Sequence, residues 1–482
     1  MKKYLAVFVS VCLVAFACFG LVGCGRKSAP NASYELACEY RPEDNSVTGS
    51  LKVTVKNPFA APLEEIKFFL YPNAYRKGAL YPAVGAGMWD EVYYAGASYG
   101  EISVSSVHGA VGWEIEGEDE NILSASLETP LGEGESVVLD LGFTTRLPCA
   151  KHRLGVTERT VNLGWFYPVL CALTEEGFTE RVCCAIGDPF ESDCAEYSVS
   201  FTCPKEYKLA AAGELVSENT LESKKRFEYS LSNAREFTAV LSKDFKVLQE
   251  TKAGRMVEYY YLSDSAPHKT LETAVDALAY YSSVFGEYAY GRYAITETPL
   301  PFLGVEYTAV SLLCEGLSEE ERTRAAAHET AHQWWYAAVG SNQFENAWQD
   351  EGLAEYSAIL FLNGKGECRE ALVEKSLREY QGYAKTYLSA LGWVDRRMNR
   401  PLAEYLSGYE YSCVSVHKAV VMFDELRKAT GKKRFFAGLK KYYAENKFGR
   451  VNAENLVGAF ERIGVDTAGF FDGFLNGKDG VV

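Results

Sequence analysis

Two of the chain's six histidines fall within the five residues "HETAH", His328 to His332. On a helix, positions four apart differ by about 40° around the axis, so both imidazoles project from one face and a single metal ion can reach them. Glu329 sits on the rim of that face, where a carboxylate can act on a water beside the metal without being a ligand. After a further eighteen residues comes Glu351, in "WQDEGLAEY". Two histidines and one glutamate leave the fourth tetrahedral position of zinc open, which is the donor set of a catalytic ion rather than a structural one. His328, His332 and Glu351 are therefore the expected ligands of one Zn2+ per chain.

Helices have to position these groups. Ser318 and Glu321 form a capping box ahead of "RTRAAAHETAHQWWYAAV", and Gly340 marks the expected stop of that helix. "DEGLAEY" opens a second helix. Helical periodicity also runs through "KTLETAVDALAYYSSVF", "VHKAVVMFDELRKATG", "KRFFAGLKKYYAENKFG" and "NAENLVGAFERIG", while "RYAITETPLPFLGVEYTAVSLL" reads as strands. From about residue 33 to 250 the period is two instead, as in "SLKVTVK", "SVVLDLGF", "AEYSVSFTCP" and "RFEYSLS", with Gly, Pro, Asn and Asp between the runs. The fold class is thus multidomain β plus α: an antiparallel β domain over residues 33–255, then a helix-rich domain over 256–482. No internal repeat or low-complexity tract interrupts it.

At 482 residues and 48% apolar composition the chain can bury a sizeable core. Its formal charge is −16. Loss of Lys2 and Lys3 with a leader takes the 49 basic residues to 47 against 65 acidic ones, or −18. Such a surface excludes nucleic acid as a partner. The leader is "MKKYLAVFVSVCLVAFACFGLVGC", a basic start and an apolar stretch short for a membrane span, which reads as an export signal over residues 1–23. Ten cysteines follow Cys24, and Cys171, Cys183, Cys184, Cys194 and Cys203 are bunched. In an exported protein this invites disulfides. In a cell living without oxygen the same residues are small buried apolar groups, and the spacing leaves both open.

The end of the leader, "LVGC", resembles the lipobox of bacterial lipoproteins. That resemblance implies lipidation of Cys24, with residues 24–32 as a tether and the protein anchored at a membrane face outside the cytoplasm, extracellular or periplasmic. H-E-x-x-H, eighteen residues and then Glu in "EGLAEY" resembles the signature of the aminopeptidase N family of gluzincin metallopeptidases, peptidase family M1. "GWFYPVL", "GDPFESDCAEYSVSFTCP", "FTAVLSKDFKVL" and "FGEYAYGRYAITETPLPFLGVEYTAV" follow in that family's order, so the resemblance covers nearly the whole chain. It implies a saddle-like β-sandwich packed on a thermolysin-like catalytic domain, without the large C-terminal helical domain of many members. It matches His328, His332 and Glu351 to the zinc ligands and Glu329 to the general base. Glu306 in "LGVEY" matches the glutamate of the G-x-M-E-N motif, which binds the free amine of the substrate. Leu303, Val305 and Tyr307 depart from that motif. The family's tyrosine, a hydrogen-bond donor to the reaction intermediate, aligns with Val416, and valine donates nothing. Tyr411 and His417 are the nearby polar groups, and Glu355 lies one turn past Glu351.

Taken together, these features lead to the expectation of a membrane-tethered zinc aminopeptidase acting on peptides, with no obligate protein partner evident. Two alternatives use the same residues. One is a zinc endopeptidase or a hydrolase of N-blocked peptides on the same scaffold. The other is a surface binding protein that keeps zinc and has lost efficient catalysis, against which the intact Glu329 argues.

Overall fold

The period-two segments form the strands their alternation predicts. In the strand Ala195–Pro204, Tyr197, Val199, Phe201 and Cys203 point into the core while the residues between them face outward. The structure is a computed structural model describing residues 30–478 and Gly480. Cys24 and the leader lie outside the described residues.

The N-terminal unit is built on a seven-stranded sheet. Its strand order is Glu214–Leu221, Lys224–Ala234, Ala195–Pro204, Ala32–Arg41, Ser46–Lys56, Ser136–Arg146 and Glu101–His108. Two four-stranded sheets accompany it, one centred on Leu63–Phe69 and Ile122–Leu131, the other on Ala239–Ser242 and Val161–Leu163. The expected antiparallel pairing holds for most of the large sheet, with one exception. Ala32–Arg41 runs parallel to Ala195–Pro204, Leu36 opposite Val199. The long chain segment between these strands allows it, because a parallel pair needs a crossover rather than a tight turn.

The second unit holds a five-stranded sheet in the order Lys246–Lys252, Arg255–Tyr261, Arg292–Thr298, Val310–Cys314, Gly304–Tyr307. Its first hairpin spans residue 255, so a border at 255/256 cuts a pair of bonded strands. By sheet membership the unit starts at Lys246. Helix Pro267–Phe285 makes the crossover between two parallel strands. The edge strand Gly304–Tyr307 is antiparallel to its neighbour and carries Glu306. Helix Glu319–Ala331 packs against Pro267–Phe285 on one side and Trp348–Gly364 on the other.

None of the ten described cysteines is paired in a disulfide. Cys38, Cys171, Cys183, Cys194, Cys203 and Cys413 are buried apolar fillers of the core.

Arg235 and Glu236, buried at the end of strand Lys224–Ala234, tie the two units together. The Arg235 guanidinium donates to Tyr336 O (2.7 Å), Ser192 O (2.8 Å) and Gly449 O (2.7 Å). The Glu236 carboxylate accepts from Thr308 N and from the Tyr336 hydroxyl, each at 2.6 Å. Gly340 admits the guanidinium, since a Cβ there would stand 2.0 Å from Arg235 Cζ. Replacing Arg235 with methionine leaves the buried carbonyls of Tyr336 and Ser192 without this donor, each costing about 1 kcal/mol or more when left unpaired, while Gly449 O keeps its bond from Gly340 N. The expected result is a stability loss of about 2 kcal/mol, read as a lower thermal midpoint. An unchanged midpoint would show that water replaces the guanidinium at this junction.

Candidate metal centre and active site

The capping box forms as the sequence predicts. The Ser318 side chain accepts from Glu321 N, and the Glu321 carboxylate accepts from Ser318 N at 2.9 Å. The helix it starts ends earlier than Gly340. Regular α-helix stops at Ala331, and His332 is its C-cap, still in a helical conformation. Trp334 and Trp335, which follow, are both fully buried. The chain beyond His332 switches to wider hydrogen bonds, Ala337 N to His332 O and Val339 N to Trp334 O, both 3.0 Å. His328 and His332 remain one turn apart, so the expected common face survives.

Their ring nitrogens are set by their other neighbours. His328 Nδ1 lies 2.9 Å from Glu355 Oε2, and His332 Nδ1 lies 3.0 Å from Trp335 O. Carboxylate and carbonyl oxygens only accept, so both Nδ1 atoms carry hydrogen, and in the neutral rings Nε2 is the atom free to bind a metal. The two Nε2 atoms lie 3.0 Å apart, with Glu351 Oε2 3.5 Å from the first. Two such nitrogens turned to one point suit a shared cation. The three donor atoms lie within 4.8 Å of one another, and a two-nitrogen, one-oxygen set fits zinc. Glu355, which the sequence leaves without a firm role, orients His328. Burial alone would raise its carboxyl, but the His328 hydrogen bond and the Arg324 charge hold it below the ordinary range.

Glu329 is 5% exposed, and its Oε2 has no hydrogen-bond partner. Burial pushes its carboxyl up, toward the range of a base working near neutral pH. Gly304 makes room for it, because a Cβ at that position would lie 2.4 Å from Glu329 Oε1. Glu306 is also 5% exposed and accepts from Gln343 Nε2 at 3.0 Å. Burial, and then the charges of Asp188 and Glu351, push its carboxyl up as well. One carboxylate oxygen each of Glu306 and Glu329 and a ring nitrogen of His332 lie within 4.8 Å of one another. The sequence-predicted residues His328, Glu329, His332, Glu351 and Glu306 thus meet in one cavity of about 520 Å³.

The same cavity is lined by Tyr411, Val416 and His417. Residues Ser412–Lys418 form a π-helix, whose i→i+5 ladder sets residues five apart on one face. Tyr411 and Val416, five residues apart, both line the cavity. The Tyr411 hydroxyl is buried without a hydrogen-bond partner. Burial, with the charges of Glu351 and Asp188, holds it protonated, so it remains a donor. Gly187 lets the ring pass, as a Cβ there would meet Tyr411 Cε2 at 2.8 Å. His417 instead turns its Nδ1 to Ser376 Oγ at 3.3 Å.

Sequence reasoning missed three contributors. Asp188 and Arg153 reach the cavity from the N-terminal unit as a buried ion pair, with the guanidinium 4.8 Å over the Phe302 ring. Gln343 arrives on a short helix, Gln343–Asn346, between the two ligand-bearing helices, and bonds Glu306. "GDPFES" stood out only as a block in family order, and no periodicity marks Arg153 or Gln343.

The sequence model described as the peptidase family M1 domain matches residues 305–474. No curated relative matches the chain. Among solved structures, the M1 zinc metallopeptidase of Deinococcus radiodurans is similar at a TM-score of 0.63 and 18% identity, covering 94% of this chain and 96% of that one. A point mutant of that enzyme bound to a Tyr-Ser-Ala substrate gives 0.64 and 18%, covering 93% and 96%. At this identity the structures speak for the fold alone, and the domain match speaks for the chemistry. The chain has the two-domain fold of the M1 zinc metallopeptidases, and its residues 305–474 match the peptidase family M1 domain.

Proposed function

We propose that the protein is a zinc aminopeptidase that removes N-terminal residues from peptides. His328, His332 and Glu351 hold the metal in this reading. The observation that carries it is the position of Glu306, a buried carboxylate lining the cavity beside Glu329 and His332. An α-ammonium pairs with such a group, and an internal peptide bond has no charge to offer it. The Tyr-Ser-Ala substrate bound to one structural relative belongs to the peptide class proposed here.

Zinc, when bound, supplies Lewis acidity to the scissile carbonyl. Glu329 takes a proton from the attacking water and returns it to the leaving amine, and its unpartnered Oε2 is free to do so. Glu306 fixes the substrate N-terminus, which sets the scissile bond one residue in. Tyr411 donates its hydroxyl hydrogen to the developing oxyanion, the role its unpartnered hydroxyl and place in the cavity wall support.

We further propose that lipid on Cys24 anchors the mature protein at a membrane face outside the cytoplasm. The "LVGC" sequence supports this, and among the described residues no helix is long and apolar enough to cross a membrane. Two or three acyl chains suffice for stable anchoring without a spanning segment.

The central experiment measures hydrolysis of free-amine and N-acetylated peptides, with metal analysis of the same samples. Wild type is expected to bind about one zinc, to prefer free amines and to lose activity to a chelator. His332→Ala should lose most of the metal, whereas Glu329→Gln should keep it and lose turnover. Zinc unchanged in His332→Ala, or turnover retained in Glu329→Gln, removes that residue from its role. Tyr411→Phe should lower kcat about 10²-fold at unchanged zinc content. A phenylalanine variant as fast as wild type would return Tyr411 to packing. For the anchor, a fatty-acid analogue should label the wild type in cells and leave Cys24→Ala unlabelled. Equal label on both would exclude lipidation at that cysteine.

A further inference from the structure

We infer that Gln343 is a positioning residue for recognition of the substrate amine, holding the Glu306 carboxylate in place in the cavity wall. The inference rests on the role proposed above for Glu306.

Gln343 opens the short helix Gln343–Asn346, which Asn342 caps by accepting from Glu345 N. Its side chain is 2% exposed, so its amide had to be desolvated to sit where it does. Nε2 donates to Glu306 Oε1 at 3.0 Å, and among the described residues this is the hydrogen bond that the carboxylate receives. The surroundings make such a donor necessary. The charges that bear most on Glu306 are the acids Asp188, Glu351, Glu329 and Asp350, which all repel it.

The chemical type of the donor matters as much as its distance. An arginine or lysine here would hold Glu306 equally well, but its charge would cancel the carboxylate and compete with the incoming α-ammonium. A side-chain amide supplies a directed hydrogen and no net charge, so Glu306 stays fixed and keeps its full attraction for a cation. Gln343 thereby ties the segment between the two ligand-bearing helices to the edge strand Gly304–Tyr307.

The test uses the full-length, zinc-loaded protein, an alanine tripeptide with a free amine and its N-acetylated counterpart. Gln343→Met keeps the approximate volume and removes the donor, and Gln343→Glu keeps the shape and adds a negative charge. Both should raise KM for the free-amine peptide about tenfold with kcat within about twofold, the effect of losing one hydrogen bond to a charged group. kcat/KM for the acetylated peptide and zinc content should stay as in wild type. In a Glu306→Ala background, Gln343→Met should change the free-to-acetylated preference no further. A structural role alone would lower thermal stability and leave that preference where it was. An unchanged preference in either folded variant, while Glu306→Ala alters it, overturns the inference. If Glu306→Ala itself leaves the preference unchanged, the amine-binding reading of Glu306 fails first.

Discussion

Two imidazole Nε2 atoms held 3.0 Å apart are the constraint on which the rest of the site depends. Each is kept from turning away by a hydrogen bond on the far side of its ring. His328 is held by Glu355, itself paired with Arg324, and His332 by the carbonyl of Trp335. Trp335 is fixed in turn by its Nε1–H to Ser357 Oγ at 3.0 Å, on the same helix as Glu351 and Glu355. The second helix therefore supplies one metal-facing oxygen and orients both histidines of the first. This coupling explains why the HExxH helix can end at Ala331 without loss of geometry. The position of His332 is set by its partners, not by continued helix.

The second constraint is the concentration of buried acid. Asp188, Glu306, Glu329, Glu351 and Glu355 all line one cavity, and burial alone would favour the protonated form of each. The chain answers with cations set to the sides. Arg324 pairs with Glu355, and Arg153 pairs with Asp188 from the N-terminal unit. Glu329 and Glu306 have no such partner, and they are the two groups whose proposed work needs a free carboxylate. The N-terminal unit is thus part of the site as well as its scaffold, which gives the junction at Arg235 and Glu236 a bearing on the site as well as on stability.

What the sequence made legible was what chemistry places at short, regular spacing. His328, Glu329 and His332 read directly because an α-helical turn fixes their relation. Glu351 read because it opens a helix of its own. The capping box and most strands read for the same local reason. The parallel pairing of Ala32–Arg41 with Ala195–Pro204 did not, because alternation fixes which face is buried and says nothing of strand direction. Asp188 and Arg153 were invisible because each enters the cavity through tertiary packing from outside regular elements, and Gln343 because it reaches Glu306 from a single short helical turn, where no period operates. The cysteines remained open in the sequence because small buried thiols and disulfide partners share one composition.

Val416 marks a different limit, because the segment around it is not a regular α-helix. The aligned donor position holds a valine, and sequence leaves Tyr411 and His417 as the nearby polar groups. The i→i+5 ladder over Ser412–Lys418 relates residues five apart, and Tyr411 and Val416 line the same cavity. A π-helix is less stable than the α-helix it replaces, which is why such segments persist chiefly at functional sites. Gly187, with φ of +69°, carries the matching adaptation across the cavity, because only a residue without Cβ clears the displaced ring. Two departures from regular structure, in separate units of the chain, thus accommodate the same tyrosine. Their agreement is the structural argument that Tyr411 stands beside the metal centre by construction.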